Sequence, residues 1–288
     1  MTMVGDPTGG EVRLRLGTVT WLAVAILAFG PAQTAARDCR MVDVGEHGLH
    51  ACVHGDAGPV VVLEAGARSM GATWTPLLPH LTDVARVVTY DRAGLGRSDQ
   101  GRAPRTSAQI AAELVALLDE LGLTGPYHLV GHSIGGWHVL HMAEQVPARV
   151  ASVMLIDTPH PDFEAARSGM LGEEGRAARE RLLTESRREL PIGVQREYEG
   201  MELTRADWAL ETLSVPLVVV TAPEHVWGAG DLDGPLEEAW RRLQRAWAEG
   251  APRGRLVTAP GGGHNLHRDV PDFIARLIRE LVEADPPA

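Results

Sequence analysis

The stretch HLVGHSIGGWHVL, residues 128–140, places a serine among glycines where an apolar strand pattern changes into a helical one. Gly131 and Gly135 lie two positions before and two positions after Ser133. A simple turn needs only one glycine, whereas this spacing lets the backbone fold sharply around the serine without side chains colliding across the turn. A strand, then G-x-S-x-G, then a helix projects the serine hydroxyl above the end of a sheet. The pattern therefore predicts that Ser133 is a nucleophile.

The rest of the chain alternates between strand and helix patterns. Strands are predicted at 40–44, 49–53, 59–66, 86–96, 126–133, 151–159, 216–222 and 254–260, and helices at 107–121, 134–145, 173–190, 235–249 and 271–283. Such alternation is typical of an α/β fold, with a mostly parallel central sheet and helices on both faces. The first two strands form a hairpin and would be the antiparallel edge of that sheet.

The region at about 160–213 interrupts this alternation, because it has no strong strand pattern. Its charged segment 173–190 predicts a helix with a thin apolar stripe of Leu182, Leu183 and Leu190. Because loops at the carboxyl ends of parallel strands surround the ligand crevice, we expect this region to be a helical cap over a pocket. A surface excursion is the alternative, since opposite charges at helical spacing usually form a solvated face.

A serine hydroxyl needs a base to take its proton, and the G-x-S-x-G pattern places that histidine on a late loop. His264 follows the strand at 254–260 and three glycines, so its loop can approach the serine closely. His267 is the alternative, although it lies deeper toward the last helix. His138 and His141 lack the glutamate and the spacing of a zinc motif. We therefore expect neither a metal nor another cofactor.

Two backbone amides are needed to hold the negative charge that forms when a serine attacks a carbonyl group. One should come from Ile134, directly after the serine, where the positive end of the following helix also favours negative charge. The other should come from Ala67, which follows Gly66 in the loop after the strand at 59–66. Ala67 is assigned by position alone, and a plain turn is the alternative.

Five segments resemble the motifs of the α/β-hydrolase fold superfamily. They are LEAGARS (63–69), YDRAGLGRSD (90–99), GHSIGG (131–136), LIDTPHPD (155–162) and GGGHNLH (261–267). They stand in the superfamily's order and cover nearly all of the chain after residue 36. The resemblance implies serine-dependent hydrolysis, usually of carboxylic esters. It also implies that Ser133 is the nucleophile, His264 the base, and Ala67 and Ile134 the oxyanion donors.

The sequence departs from the superfamily's pattern at two places. Glu64 and Ala65 stand where many members carry His-Gly, and the loop after the strand at 216–222 lacks the aspartate that many members place there. The first departure is compatible with a backbone donor, because an amide does not depend on the side chain. The second departure leaves the acid of a Ser-His-acid triad open.

The acid should lie between Ser133 and His264 in the chain, and it could be Asp157 or Glu224. Asp157 closes the strand pattern at 151–159, where some members of the superfamily place their acid, and it is our prediction. Glu224 stands at the commoner location, but His225 takes the place where an aspartate would be expected. The alternative role for Asp157 is to cap its own loop.

These residues predict a serine hydrolase that cleaves a small-molecule ester through an acyl-enzyme intermediate. The same residues are compatible with an acyltransferase, an amide or carbon–carbon hydrolase, or a perhydrolase. A non-catalytic small-molecule binding protein is a further alternative, since fold does not fix function. The net charge of −11 argues against a nucleic-acid partner. The sequence does not indicate the oligomeric state.

The first 36 residues have the order of a secretory signal peptide. Arg13 and Arg15 precede an apolar run at 16–29, and a small-x-small sequence ends at Ala36. We therefore expect a signal peptide at 1–36 and an α/β-hydrolase domain at 37–288. The mature protein would be secreted, periplasmic or in the cell envelope, without a stable membrane partner. An uncleaved membrane anchor is the alternative.

An exported chain meets an oxidising compartment, where paired cysteines form disulfides. Its two cysteines are Cys39, directly before the strand predicted at 40–44, and Cys52, in the returning strand predicted at 49–53. Folding the hairpin about its turn places them nearly opposite each other, so we expect a disulfide between them. Two unpaired buried thiols are the alternative.

Overall fold

Eight strands form a single sheet in the computed structural model, which describes residues 37–204 and 207–284. The strands are β1 (Arg37–Asp43), β2 (Gly48–His54), β3 (Val60–Glu64), β4 (Arg86–Tyr90), β5 (Tyr127–His132), β6 (Val150–Ile156), β7 (Leu217–Thr221) and β8 (Gly254–Thr258). Their order across the sheet is β1-β2-β4-β3-β5-β6-β7-β8. The strand β2 is antiparallel to both of its neighbours, whereas all other neighbouring strands are parallel. The predicted mostly parallel sheet with an antiparallel edge is confirmed.

Helices cover both faces of this sheet. The α-helices of the described ranges are α1 (Ser107–Glu120), α2 (Gly135–Gln145), α3 (Asp162–Met170), α4 (Glu173–Arg188), α5 (Ile192–Glu202), α6 (Asp233–Gly250), α7 (Leu266–Asp269) and α8 (Pro271–Ala284). Successive side chains of a strand point to opposite faces, so each inner strand contributes to two apolar cores. Val60 and Val62 of β3 lie in the core that includes α1 and α2, while Val61 and Leu63 lie in the core that includes α8.

The described residues between β6 and β7 contain three α-helices where the sequence pattern predicts one. The predicted helix at 173–190 is α4, which buries no residue and therefore has a solvated surface. The neighbouring helices are missed by the pattern because their apolar stripes are thin: α3 buries Phe163, and among apolar side chains α5 buries Val194. The role of this insertion as a cap stays a prediction.

Other details also differ from the sequence-based expectation. The strand predicted at 86–96 ends at Tyr90, because Gly94 (φ 84°) and Gly96 (φ 53°) have left-handed backbone that a strand cannot adopt. A 3₁₀ helix at Gly71–His80 was not predicted, since its two internal prolines hide the helical pattern.

The hairpin of β1 and β2 brings the two cysteines together. Cys39 lies opposite Cys52 in the antiparallel register, and the two form a disulfide with a Cα–Cα distance of 4.0 Å. The predicted pairing is therefore present in the structure. The predicted signal peptide at 1–36 and its cleavage site lie outside the described residues. Within residues 37–204 and 207–284, no helix is long and apolar enough to span a membrane.

Candidate active site

Three non-glycine residues of the described chain have left-handed backbone. They are Arg68 (φ 62°), Ser133 (φ 52°) and Asp157 (φ 48°). They follow the carboxyl ends of β3, β5 and β6, which are neighbours in the sheet. Such a conformation costs on the order of 1–3 kcal/mol and persists where the surrounding structure enforces it. Backbone strain is thus concentrated where the ligand crevice of a parallel sheet lies.

Ser133 occupies the sharp turn between β5 and α2. Its amide donates to the carbonyl of Ile156 on β6 at 2.9 Å, which fixes the turn against the sheet. A Cβ atom on Gly131 would lie 2.6 Å from the carbonyl carbon of Gly135, and one on Gly135 would lie 2.6 Å from the carbonyl oxygen of Ala65. Larger residues therefore do not fit at either glycine, as the G-x-S-x-G spacing predicts.

Asp157 and His264 form a direct contact. Asp157 Oδ2 lies 2.8 Å from His264 Nδ1, and the Asp157 side chain is fully buried whereas that of His264 is 46% exposed. Burial alone would raise the pKa of Asp157, but hydrogen bonds from His225 and His264 outweigh it and hold that pKa well below its usual range. Asp157 is therefore a carboxylate, and His264 Nδ1 donates to it.

The other oxygen of Asp157 is also occupied. Oδ1 accepts the backbone amide of Ala222 at 3.0 Å and the hydroxyl of Thr221 at 3.2 Å, both at the end of β7. The carboxylate is thus oriented by groups on its other side, so that Oδ2 faces His264. A capping role at its own loop does not require this arrangement.

Ser133 and His264 line one cavity of about 510 Å³. In the described structure the Ser133 hydroxyl makes no hydrogen bond to His264. Such contacts are often long in enzymes without substrate and close only when the complex forms. The cavity wall combines the aromatic side chains of Phe163, Trp227 and Trp240 with the charged side chains of Glu164, Arg167 and Glu224.

His225, which the sequence reasoning treated only as a replaced aspartate, contacts the same carboxylate. Its Nε2 lies 2.9 Å from Asp157 Oδ2, and its Nδ1 lies 3.0 Å from Glu237 Oε2 on α6. The signal available in the sequence was the histidine at the position where many relatives have an acid. Nothing in the local pattern showed that its ring would turn toward Asp157.

The alternative candidates, His267 and Glu224, do not take part in the contact between Asp157 and His264. His267 is buried, its Nε2 bonds the Thr73 hydroxyl at 2.9 Å, and its ring packs on Trp74. Burial lowers the pKa of His267, and the structure places Asp157 against His264 instead. Glu224 is exposed on the cavity wall.

His132, the residue before the serine, fixes the loop that carries His264. Its Nε2 lies 2.8 Å from the backbone carbonyl of His264, so that nitrogen carries the proton and donates it. Burial, with a smaller contribution from the nearby His264, lowers the pKa of His132 to about 4. A neutral His132 therefore tethers the His264 loop to β5.

The loop after β3 passes against the serine. A Cβ atom on Gly66 would lie 2.8 Å from His132 Nδ1 and 3.1 Å from Ser133 Cβ, so a larger residue would crowd both side chains. The backbone amides of Ala67 and Ile134 donate to no other group in the described residues. Both candidate oxyanion donors are therefore available at the ends of β3 and β5.

The buried guanidinium of Arg92 holds the loop after β3 in place. Arg92, which is 1% exposed, donates to the carbonyls of Ala65 at 2.6 Å and Gly66 at 2.9 Å. It also pairs with Glu64 at 2.8 Å and with Glu197 of α5 at 2.6 Å. Glu64, one of the two departures from the superfamily's pattern, is thus a partner of Arg92. This cluster is not predicted from the sequence, although a glutamate at the end of an apolar strand indicates that a buried partner must neutralise its charge.

The comparisons with known proteins agree with this architecture. Residues 58–188 match the α/β hydrolase fold family. The described chain has the α/β-hydrolase fold, as this match and the sheet order indicate. The solved structure of a thermophilic esterase from Thermogutta terrifontis superposes with a TM-score of 0.64 at 23% identity, over 87% of this chain and 99% of that one.

Two relatives differ in how much of their own length the match with this chain covers. A protein of Hormonema carpetanum named "Probable transporter efuK" is 34% identical over 88% of this chain, but the match spans only 44% of that protein. "Putative carbamate hydrolase RutD" of Caulobacter sp. strain K31 is 29% identical over 81% of this chain and 96% of its own length. The chain therefore spans less than half the length of the first relative and nearly all of the second.

Within residues 37–204 and 207–284, no three histidine, cysteine, aspartate or glutamate side chains are arranged to hold a metal ion.

Proposed function

We propose that this protein is a serine hydrolase that cleaves carboxylic esters through Ser133, His264 and Asp157. The observation that carries the proposal is the contact of 2.8 Å between His264 Nδ1 and the buried Asp157 Oδ2. Ser133 lines the same cavity as His264 and is held on a strained turn. These are the parts that nucleophilic catalysis by serine needs.

The Asp157 carboxylate determines which nitrogen of His264 can act as a base. Because Nδ1 donates to Asp157, the neutral ring has its lone pair on Nε2, and this atom can accept the Ser133 proton. The serine oxygen then attacks the ester carbonyl, and His264 becomes an imidazolium next to Asp157. The alcohol leaves with the proton from Nε2, and a water molecule activated in the same way releases the acid.

Ala67 and Ile134 are the proposed oxyanion donors. Their amides lie in the two loops that meet at Ser133, after β3 and β5. Hydrogen bonds to the developing negative charge typically contribute a factor of about 10²–10³ in rate per donor. Arg92 holds the carbonyls of Ala65 and Gly66, and it thereby keeps the first of these loops in place.

The cavity supports a small apolar or aromatic substrate. Phe163, Trp227 and Trp240 form one part of its wall, next to the charged Glu164, Arg167 and Glu224, and the aromatic side chains bind flat apolar groups well. The relatives include an esterase and a protein named as a carbamate hydrolase, and both substrates present a carbonyl to a nucleophile. We therefore infer ester cleavage as the main activity, and amide or carbamate cleavage as the alternative on the same site.

The test uses short-chain p-nitrophenyl esters, a matching carbamate and a serine-reactive phosphonate. Wild-type protein should hydrolyse the esters and lose activity in proportion to phosphonate incorporation. Ser133→Ala should lower kcat by several orders of magnitude while the protein stays folded. Ser214→Ala, an exposed serine away from the cavity, is the matched control and should retain activity. Full activity of Ser133→Ala would contradict the proposal, and a folded wild type without turnover on any ester, amide or carbamate would favour a binding protein.

We also infer that the chain is exported and that its signal peptide is removed after Ala36. The Cys39–Cys52 disulfide supports this, because disulfides persist in oxidising compartments. Intact-mass analysis of the secreted protein should show a chain beginning near Arg37 with no free thiol. A chain that keeps its first 36 residues, or two freely alkylated thiols, would contradict the inference.

A further inference from the structure

His225 lies between two carboxylates. Its Nε2 lies 2.9 Å from Asp157 Oδ2 and its Nδ1 lies 3.0 Å from Glu237 Oε2, while its side chain is 6% exposed. A neutral imidazole has one N–H group, so one of its nitrogens would present a lone pair to a carboxylate. Both contacts are favourable only when both nitrogens carry protons. The geometry therefore requires an imidazolium at His225.

The surroundings of His225 agree with this charge. Burial opposes the positive charge, but the bonds to Asp157 and Glu237 outweigh it, so the pKa of His225 is raised above its usual value. The rings of Trp227 and Trp240 pack against the imidazole, each with a centroid distance of 4.9 Å. Aromatic faces stabilise a cation packed on them.

We propose that His225 is a positioning residue for the reaction of Ser133. Held by Glu237, it fixes Oδ2 of Asp157 in front of His264 and reduces the negative charge that Asp157 presents to His264. This inference rests on the proposed function, since it concerns the same site. His225 acts through Asp157 and needs no contact with the reacting atoms.

Several charged groups face this arrangement from the elements packed around it. Asp157 comes from the end of β6 and Glu237 from α6, and Glu237 also accepts a hydrogen bond from Arg241 at 2.9 Å. His264 comes from the loop after β8, and the exposed Glu224 precedes His225 in the chain. Glu164 and Arg167 of α3 line the same cavity. His225, Arg241 and Arg167 therefore carry the positive charges around this arrangement when His264 is neutral.

The proposal predicts a shift in the pH dependence of kcat/KM. The acid limb of this profile reports protonation of the base in the free enzyme. Removing the positive charge of His225 makes protonation of His264 more favourable, so the acid limb should move to higher pH. Because both rings contact Asp157 Oδ2, we expect the acid limb to move by about one pH unit. A residue that only packs would leave the limb where it is.

The experiment compares three variants with the wild type. His225→Gln keeps one donor and removes the charge, and it should lower kcat about tenfold, keep KM within about twofold and move the acid limb up by about one pH unit. Glu237→Gln removes one of the two carboxylates that hold the proton of His225, so His225 should become neutral. Because a negative charge is lost together with the positive one, kcat should fall and the acid limb should move up by less than in His225→Gln. Glu238→Gln is the matched control, since Glu238 is exposed and next to Glu237 on α6. An unmoved acid limb in His225→Gln, or wild-type kcat, would overturn the proposal.

A second measurement separates this proposal from the proposed function. In ¹⁵N-labelled wild-type protein, the nitrogen shifts of His225 at pH 7 should be those of a ring protonated on both nitrogens. A neutral ring at pH 7 would overturn the proposal even if the esterase activity is present. Conversely, His225 could be doubly protonated in a protein whose Ser133 is not labelled by the phosphonate. That result would confirm the ion pairs of His225, but it would overturn both its positioning role and the proposed function.

Discussion

Replacing Asp157 by asparagine tests which carboxylate serves His264. Asparagine is the suitable substitution because it tolerates the left-handed backbone of residue 157, where φ is 48°. The carboxylate accepts four hydrogen bonds, from His225 and His264 on Oδ2 and from Thr221 and Ala222 on Oδ1. An amide has only one acceptor oxygen, so one pair of donors must face an NH₂ group.

Both orientations of the amide damage the site. If the NH₂ group faces His264, it favours the tautomer with the proton on Nε2, which cannot accept the serine proton. If the NH₂ group faces Thr221 and Ala222, the buried amide of Ala222 loses its acceptor, and the imidazolium formed in the reaction loses its counter-charge. We therefore expect kcat to fall by about 10³–10⁴, as in other sites that depend on such an acid. This corresponds to about 4–5.5 kcal/mol of lost transition-state stabilisation.

Glu224→Gln is the matched comparison, because it also removes one carboxylate from the cavity wall. Because Glu224 is exposed, the kcat of Glu224→Gln should stay within about threefold of the wild-type value, in the range of ordinary surface substitutions. Steady-state hydrolysis of a p-nitrophenyl ester gives both values, and circular dichroism with thermal unfolding verifies that both variants are folded. A larger loss for Glu224→Gln than for Asp157→Asn would make Glu224 the acid and Asp157 a loop anchor.

Three further predictions follow from described contacts. Replacing Cys39 and Cys52 by serine should lower the free energy of unfolding by about 3 kcal/mol in the chain-entropy model, measured by denaturant titration, and leave kcat unchanged because the hairpin is at the sheet edge. Arg92→Lys should lower kcat about tenfold, because an ammonium cannot replace the planar fork that holds the loop carbonyls, whereas Arg97→Lys at an exposed position should not. The folded-state pKa of Asp157 is lowered, so the stability that the carboxylate adds is present above a pH of about 4 and is lost as the pH falls further. The free energies of unfolding of the wild type and Asp157→Asn, measured by denaturant titration across this range, should therefore become more similar as the pH falls.

Each of these predictions has an outcome that contradicts it. A double serine variant as stable as the wild type would remove the stabilising role of the disulfide. Equal kinetics of Arg92→Lys and Arg97→Lys would show that the guanidinium does not hold the loop. A stability difference between wild type and Asp157→Asn that stays constant from pH 6 to pH 2 would contradict the lowered pKa of Asp157.

The sharp turn at Ser133 could be predicted from the sequence because the constraint on it is local. Gly131, Ser133 and Gly135 lie within five positions, and the collision that excludes larger residues occurs inside that turn and with the neighbouring strand. The position of His264 was also readable, since a strand and three glycines preceded it. Chain order alone left Asp157 and Glu224 open, because the choice depends on how far β6 and β7 extend relative to each other.

The contacts of Arg92 and His225 could not be predicted from the sequence, because they depend on tertiary packing. Arg92 and Glu197 are 105 positions apart, and their pairing depends on how α5 packs against the loop after β4. The ring of His225 turns toward Asp157 because Glu237 on α6 holds its other nitrogen. Contacts of this kind are set by tertiary packing, which no periodic pattern records.

The central claim, that Ser133 forms a covalent acyl intermediate, is tested most directly by trapping that intermediate. The wild type is mixed with a p-nitrophenyl ester, quenched in acid within the first turnover and analysed by peptide mass spectrometry. We predict a mass increase equal to the acyl group on the peptide that contains Ser133, absent in Ser133→Ala and accumulated in parallel with a burst of nitrophenol. Ester turnover without an adduct on Ser133 in the wild type, or an adduct on another residue such as Ser98, would contradict the account.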